Sequence, residues 1–189
     1  MLPNLTPDIE LAAELFAGLR AGSTDGEGVT REAYGPGERM AHALVRAAAD
    51  RLGLESSVDV AGNLYMTLPG ADRAAKRVII GSHLDSVRQG GNYDGAAGVL
   101  AGMAAVAGMK RAGFTPGRDI TVMAIRAEEA GAWFPVSYPG SRMALGLFNG
   151  GYLPLEQRCL AENLYWAICD KLRRIAADMG DVPEELQGL

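Results

Sequence analysis

His83 is one of only two histidines in the chain, and it lies in the stretch GSHLDSVRQGGNYDGAAGV, with Asp85 two residues on and Asp94 eleven residues on. A second acidic group, Glu128 and Glu129, closes the stretch TVMAIRAEE. Imidazole nitrogen and carboxylate oxygen are the ligands typical of hydrolytic zinc. A carboxylate can also bridge the two ions of a two-metal site. Asp85 is spaced to accept the proton on the second ring nitrogen of His83, which fixes the ring and raises its basicity. Paired glutamates can divide two roles, one binding metal while its neighbour takes a proton from water.

Taken singly, each feature has a plainer reading. His-x-Asp is a common pair, Glu-Glu is usually a solvated face, and an aspartate before a helix is usually a cap. Their placement changes the reading, because it depends on the elements that carry them. KRVIIGS (Lys76 to Ser82) has a continuous apolar centre and predicts a strand buried on both faces. DITVMAIRA (Asp119 to Ala127) predicts a second apolar strand, and Gly95 to Met109, rich in Ala, Gly, Val and Met, a buried helix between them. Strand, helix, strand makes a βαβ unit with parallel strands and a right-handed crossover. Ligands bind beyond the carboxyl ends of such strands. His83 follows one strand directly, the glutamate pair follows the other, and Asp94 begins the crossover helix, where the helix dipole favours negative charge. The two strands are either neighbours or separated by one strand. Gly90 and Gly91 let the intervening loop fold back over the cleft.

Upstream, Thr6-Pro7-Asp8 predicts a helix start with Thr6 as the cap, followed by a stripe of Ile9, Leu11, Ala12, Leu15, Phe16 and Leu19. Ala21 to Gly28 reads as a loop. A second helix is expected from Pro36 or Gly37 to Leu52, stopped by Gly53. Ser57 to Val60 and Asn63 to Leu68 are β-rich and form either consecutive strands or a hairpin. Downstream, Ser141 to Leu147 reads as a short helix, and two more helices are expected over Leu155 to Glu162 and Asn163 to Met179. His42, mid-helix and without a carboxylate cluster, reads as structural. Arg88, Asn92 and Tyr93 read as solvated loop residues.

Composition bounds the rest. The chain has 189 residues, 48% of them hydrophobic, enough for a proper core. A net charge of -5 argues against a nucleic-acid partner. No apolar run approaches the ~20 residues that cross a bilayer, and MLPNLTPDIE lacks the order of a signal peptide, so no membrane association and a cytoplasmic location are expected. Cys159 and Cys169 suggest neither a disulfide framework nor a metal knuckle.

The runs GSHLDSVRQGGNYDGAAGV and AEEAGAWFPVSYPGSRMALG, with VTREAYGPGERMAHALVRAAADRLGLESSVDVAGNLYMTLPG upstream, resemble the dinuclear-metal amidohydrolases related to aminoacylases and carboxypeptidases, and most of all their hydantoinase/carbamoylase branch of N-carbamoyl-L-amino-acid hydrolases and allantoate amidohydrolases. Thr30-Arg31 and Gly62-Asn63 match recurring positions. The likeness covers residues 10 to 146. It implies that His83 binds one divalent ion, that Asp94 bridges two, that Glu129 binds the second, that Glu128 is the general base and that Asp85 orients His83. The ion would be zinc, with manganese or cobalt as alternatives. The expected fold is α/β, a three-layer α/β/α arrangement with a mixed, largely parallel sheet. Residues 1–146 would be the N-terminal part of the catalytic domain, and 147–189 a helical extension of it.

Departures from the family pattern set further expectations. The resemblance calls for two later histidines, and His42 is the only other one. Ser86 stands where the branch more often has Thr, and Ala130-Gly131-Ala132-Trp133-Phe134 replaces the usual Gly-Ser-Arg-Phe-like run. Family members are about twice as long and insert a lid or dimerisation domain. The expected function is hydrolysis of a C–N bond in a small carbamoyl, ureido or amide substrate, weak or absent in this chain alone. A homo-oligomer or completion by a partner chain is expected. A non-catalytic binding or regulatory remnant is the alternative, and a metallo-aminopeptidase or carboxypeptidase relative a third.

Overall fold

The computed structural model describes residues 5–133 and 137–147. Helix α1 covers Ile9–Ser23, β1 Thr24–Asp25, β2 Gly28–Val29, α2 Pro36–Arg51, β3 Glu55–Val58, β4 Leu64–Leu68, β5 Val78–His83, α3 Ala96–Arg111 and β6 Ile120–Ile125. A 3₁₀ turn at Glu128–Ala132 and a short helix α4 at Pro139–Ala144 follow. The helices expected over 155–179 and both cysteines lie outside the described residues.

The main sheet runs β3-β4-β6-β5. It is mixed, and α/β is the fold class. Its parallel character is confined to β5–β6, since β3–β4 and β4–β6 are antiparallel. The sheet among the described residues is therefore less parallel than expected. The reason is local: the short connection from Asp59 to Asn63 closes β3 and β4 into a hairpin, whereas the long α3 crossover lets β5 and β6 run side by side in the same direction. β5 and β6 are direct neighbours, with His83 opposite Ile125.

One face of the sheet carries Leu64, Met66, Leu68, Val122 and Ala124, which pack on Leu15 and Leu19 of α1, Val45 of α2, and Val99, Leu100 and Met103 of α3. Alternation along β4 and β6 puts these side chains on one side, and the helical stripes meet them there. β6 is central and buried from Thr121 to Ala124. β5 corrects the expectation of burial on both faces. Among the described residues it is an edge strand, with Val78 45%, Ile79 52% and Ile80 37% exposed. An apolar run shows that a strand suits burial, but not how much neighbouring sheet is present to bury it.

Two boundaries also differ. The cap of α1 is Asp8, which accepts from the Leu11 N–H at 3.0 Å, rather than Thr6. The helix continues to Ser23 because the Ser23 and Thr24 hydroxyls each donate to a carbonyl four residues back, at 2.6 Å, before the chain turns into the β1–β2 ribbon. The end of α2 matches expectation, with Gly53 just beyond it at φ 63.

Candidate metal centre

The carboxyl ends of β5 and β6 bring His83, Asp94 and Glu129 together. Each offers one ligand atom, and the three atoms all lie within 4.8 Å of one another. His83 ends β5. Asp94 precedes α3, and Gly95 caps that helix at φ 63. A side chain at Gly95 would be strained by that φ, and its Cβ would fall 2.4 Å from the His83 ring. The glycine thus lets the start of the crossover helix lie against the imidazole.

Asp85 is fully buried and joins the two strand ends. Its Oδ1 lies 3.2 Å from His83 Nδ1, and the same ring nitrogen is 3.1 Å from its backbone carbonyl. The Glu128 N–H donates to Asp85 Oδ1 at 3.2 Å and the Glu129 N–H to Oδ2 at 2.8 Å. With Nδ1 engaged, Nε2 is the ring nitrogen left to ligate. Burial lowers the His83 pKa, but the hydrogen bond and charge of Asp85, with Asp94 behind, outweigh it and raise the imidazole above its ordinary value.

The turn that presents the glutamates is set from behind. Ala127 adopts φ 57, a left-handed conformation uncommon for a residue with a Cβ. Its N–H donates to Glu38 Oε1 at 2.7 Å, and Glu38 Oε2 accepts from the Tyr34 N–H at 2.6 Å and faces Arg126 Nε at 3.4 Å. Burial pushes the Glu38 carboxyl up to about 7, against the pull of Arg126 and the two N–H donors. Asn63 Oδ1 accepts from the Arg126 N–H at 2.8 Å, and its amide nitrogen donates to the Gly140 carbonyl at 3.0 Å. The Ser141 N–H donates to Glu128 Oε1 at 3.1 Å, and Trp133 Nε1 to the Ser86 carbonyl at 3.1 Å.

His42 lies outside this cluster. It is buried in α2, 3.9 Å from Glu38, and burial followed by the charge of Arg126 holds its pKa well below the ordinary imidazole value. Asn92 departs from the solvated reading, for it is buried against Arg31. Tyr93 is two-thirds exposed and packs edge-on against Phe16, while Arg88 stacks over Trp133 at 4.8 Å. The roles of Arg31, Glu38 and Ala127 were not read from the sequence. Glu38 had a usable signal, since it falls on the buried stripe of α2 with Ala41, Val45 and Ala48, where a charge needs a partner.

The allantoate amidohydrolase of Bacillus subtilis is 37% identical over 146 residues, 77% of this chain and 34% of that protein. The N-carbamoyl-L-amino acid amidohydrolase of Geobacillus stearothermophilus is 42% identical over 119 residues, 63% of this chain and 29% of that protein. A solved hydantoinase/carbamoylase family amidase from Burkholderia ambifaria superposes with a TM-score of 0.72 at 32% identity, covering 82% of this chain and 41% of its own. The matched part of this chain belongs to the hydantoinase/carbamoylase family of amidohydrolases. Its α/β fold with a mixed sheet is theirs. The chain spans about a third of the length of the curated relatives it matches. Peptidase family M28 also matches, over residues 63–144, and the Arginine decarboxylase helical bundle domain matches residues 141–189. The aminopeptidase PepT of Bacillus cereus, at 20% identity and a TM-score of 0.51, shares the fold.

Proposed function

We propose that this chain carries the first part of a metal-dependent hydrolase site for C–N bonds in small carbamoyl, ureido or amide substrates. The observation that carries this reading is the convergence of His83, Asp94 and Glu129 beside a buried Asp85 that tethers both strand ends. One imidazole and two carboxylates fit a divalent ion, and three protein ligands with a position left open is the pattern of catalytic zinc. Zinc is the reading, with manganese or cobalt as alternatives. A bound divalent ion supplies Lewis-acid chemistry, polarising a carbonyl oxygen and acidifying water.

Around that ion the protein's own groups have distinct tasks. Asp85 accepts the Nδ1 proton of His83 and leaves Nε2 to ligate. Asp94 and Glu129 provide negative charge. Glu128, whose carboxylate is anchored by the Ser141 N–H, takes a proton from the attacking water and returns it to the leaving nitrogen. Residues 1–146 form the catalytic-domain part in this reading, and 147–189 a helical extension. The location is cytoplasmic, and a second copy or a partner chain completes the assembly.

The non-catalytic alternative rests on one observation. Among the described residues the cluster offers three ligand atoms, enough for one ion and too few for two. Metal analysis of the purified chain, combined with hydrolysis assays on N-carbamoyl amino acids, allantoate and a dipeptide, tests all three readings. Bound metal with release of ammonia or amino acid from the first two substrates supports the amidohydrolase. Dipeptide cleavage would favour the peptidase reading. Metal with no turnover, even after a polypeptide carrying the two later histidines of the resemblance is added, would favour a binding module.

A further inference from the structure

Arg31 is fully buried and sits on no catalytic strand, yet it touches two of the three segments that deliver ligands. It lies between β2 and α2. Its Nε donates to the Leu84 carbonyl at 2.5 Å, between His83 and Asp85. Its Nη1 donates to Asn92 Oδ1 at 3.1 Å and its Nη2 to the Asn92 carbonyl at 3.4 Å, two residues before Asp94. Backbone bonds complete the attachment. The Arg31 N–H donates to Ser86 Oγ and the Ser86 N–H to the Arg31 carbonyl, both at 2.9 Å. Asn92 is in turn fixed from outside, its amide nitrogen donating to the Phe16 carbonyl at 3.2 Å.

A buried guanidinium is costly unless paired. Among the described residues no carboxylate hydrogen-bonds to it, and its acceptors are two carbonyls and an amide oxygen. Burial lowers the Arg31 pKa, and the charges of Asp85 and Asp94 act against that. Arg31 therefore meets the acidic cluster through its field and meets the loop through its fork. Asp94 itself is exposed and has no side-chain hydrogen bond among those described for the site. Its position depends on the backbone on either side, namely Asn92 before it and Gly95 after it.

We propose that Arg31 is a positioning residue of the metal centre: with Asn92 it forms a buried strut that sets Asp94 against His83, and its charge offsets the repulsion between Asp85 and Asp94 before an ion enters. This rests on the metal reading above. Lysine would keep the charge but lose the planar fork that reaches Leu84 and Asn92 together.

The test is cobalt(II) binding to the full chain, followed by its visible absorption bands and by zinc competition, with chemical denaturation of the metal-free protein alongside. The parent should bind cobalt, and His83→Ala should not. Arg31→Lys and Asn92→Ala should remain folded, bind cobalt about 10- to 100-fold more weakly, as changes behind a metal ligand commonly do, and alter the band pattern. The double variant should be little weaker than the poorer single variant, because both remove one strut. Leu68→Ala, a core change at the opposite end of the sheet, where Leu68 pairs with Ile120 at the start of β6, supplies a destabilised control whose affinity should match the parent. If Arg31→Lys and Asn92→Ala keep parental affinity and spectrum, or if Leu68→Ala loses as much, the strut is only structural and the inference fails while the metal reading stands. A parent that binds no cobalt overturns the metal reading and this inference with it. Should Arg31→Lys fail to fold, Asn92→Ala and the control still decide.

Discussion

The Glu129 N–H donates to Asp85 Oδ2 at 2.8 Å, so the carboxylate beside the imidazole also holds the turn that presents the glutamates. The two residues follow different strands of the βαβ unit, and the bond ties those strand ends together where β5 and β6 stop pairing. Asp85→Asn keeps the size but replaces one acceptor oxygen with a donor that must face an N–H or the imidazole. A buried donor or acceptor left unsatisfied costs about 1–3 kcal/mol. Asp85→Asn should lose about that much stability by chemical denaturation. Its affinity for zinc should fall about 10- to 100-fold. Parental zinc affinity in a folded Asp85→Asn protein would remove Asp85 from the site.

A pH dependence follows from His83. Its folded pKa is raised above the ordinary value of about 6.5, chiefly because Asp85 outweighs burial. In the metal-free protein this contributes stability that is fully present below pH ~6.5 and is lost as pH rises through the raised value. Metal binding runs the other way. A ligating imidazole must give up a proton it holds more tightly than usual, so zinc affinity should weaken as pH falls through that same value. Titrations at several pH values, on the parent and on Asp85→Asn, check both signs. In the variant the affinity curve should move to lower pH.

The site's end of the fold was legible because its chemistry is local. His83, Asp85 and Asp94 are close in sequence, and two apolar strands with a helix between them can bring the glutamates to the same edge. What stayed hidden depends on distant partners. Glu38 reaches Ala127 across 89 residues and Arg31 reaches Asn92 across 61, and nothing in the local pattern of either residue names its acceptor or donor. The burial of β5 was misread for the same kind of reason. An apolar strand does not state whether it will be central or at an edge, and here Ile79 stands half exposed. Ser23 and Thr24 misled at shorter range, since hydroxyls that suit a loop also bond back to helix carbonyls.

The left-handed Ala127 gives a prediction in which two effects nearly cancel. Glycine at φ 57 would relieve strain of about 1–2 kcal/mol. The lost methyl, in a residue with no exposed surface packed among Ala33, Tyr34 and Ala130, would cost about 0.8 kcal/mol. Ala127→Gly should therefore change unfolding stability by less than about 1 kcal/mol. Ala127→Val should be far worse, because a β-branched side chain resists positive φ. If Ala127→Gly cost as much as Ala127→Val, packing rather than backbone conformation would govern this turn.

Catalysis is the most demanding test of the reading. General-base assistance contributes about 10²–10⁴-fold, and only when the reacting groups are already placed. Orientation of a bound substrate accounts for several further kcal/mol (about 7–11 in the most favourable intramolecular cases). Among the described residues the cluster has three ligand atoms for metal, and His42, the remaining histidine of the chain, is buried away from them in α2. The isolated chain should therefore hydrolyse N-carbamoyl amino acids or allantoate very slowly or not at all, even with zinc, manganese or cobalt added. Supplying a polypeptide that carries the two later histidines the family resemblance calls for should restore turnover. In that restored state Glu128→Gln should reduce kcat by about 10²–10⁴-fold with little change in metal content, because the amide can still accept from Ser141 but cannot take the proton. Fast turnover by the 189 residues alone, abolished by Glu128→Gln, would show that one imidazole and two carboxylates suffice.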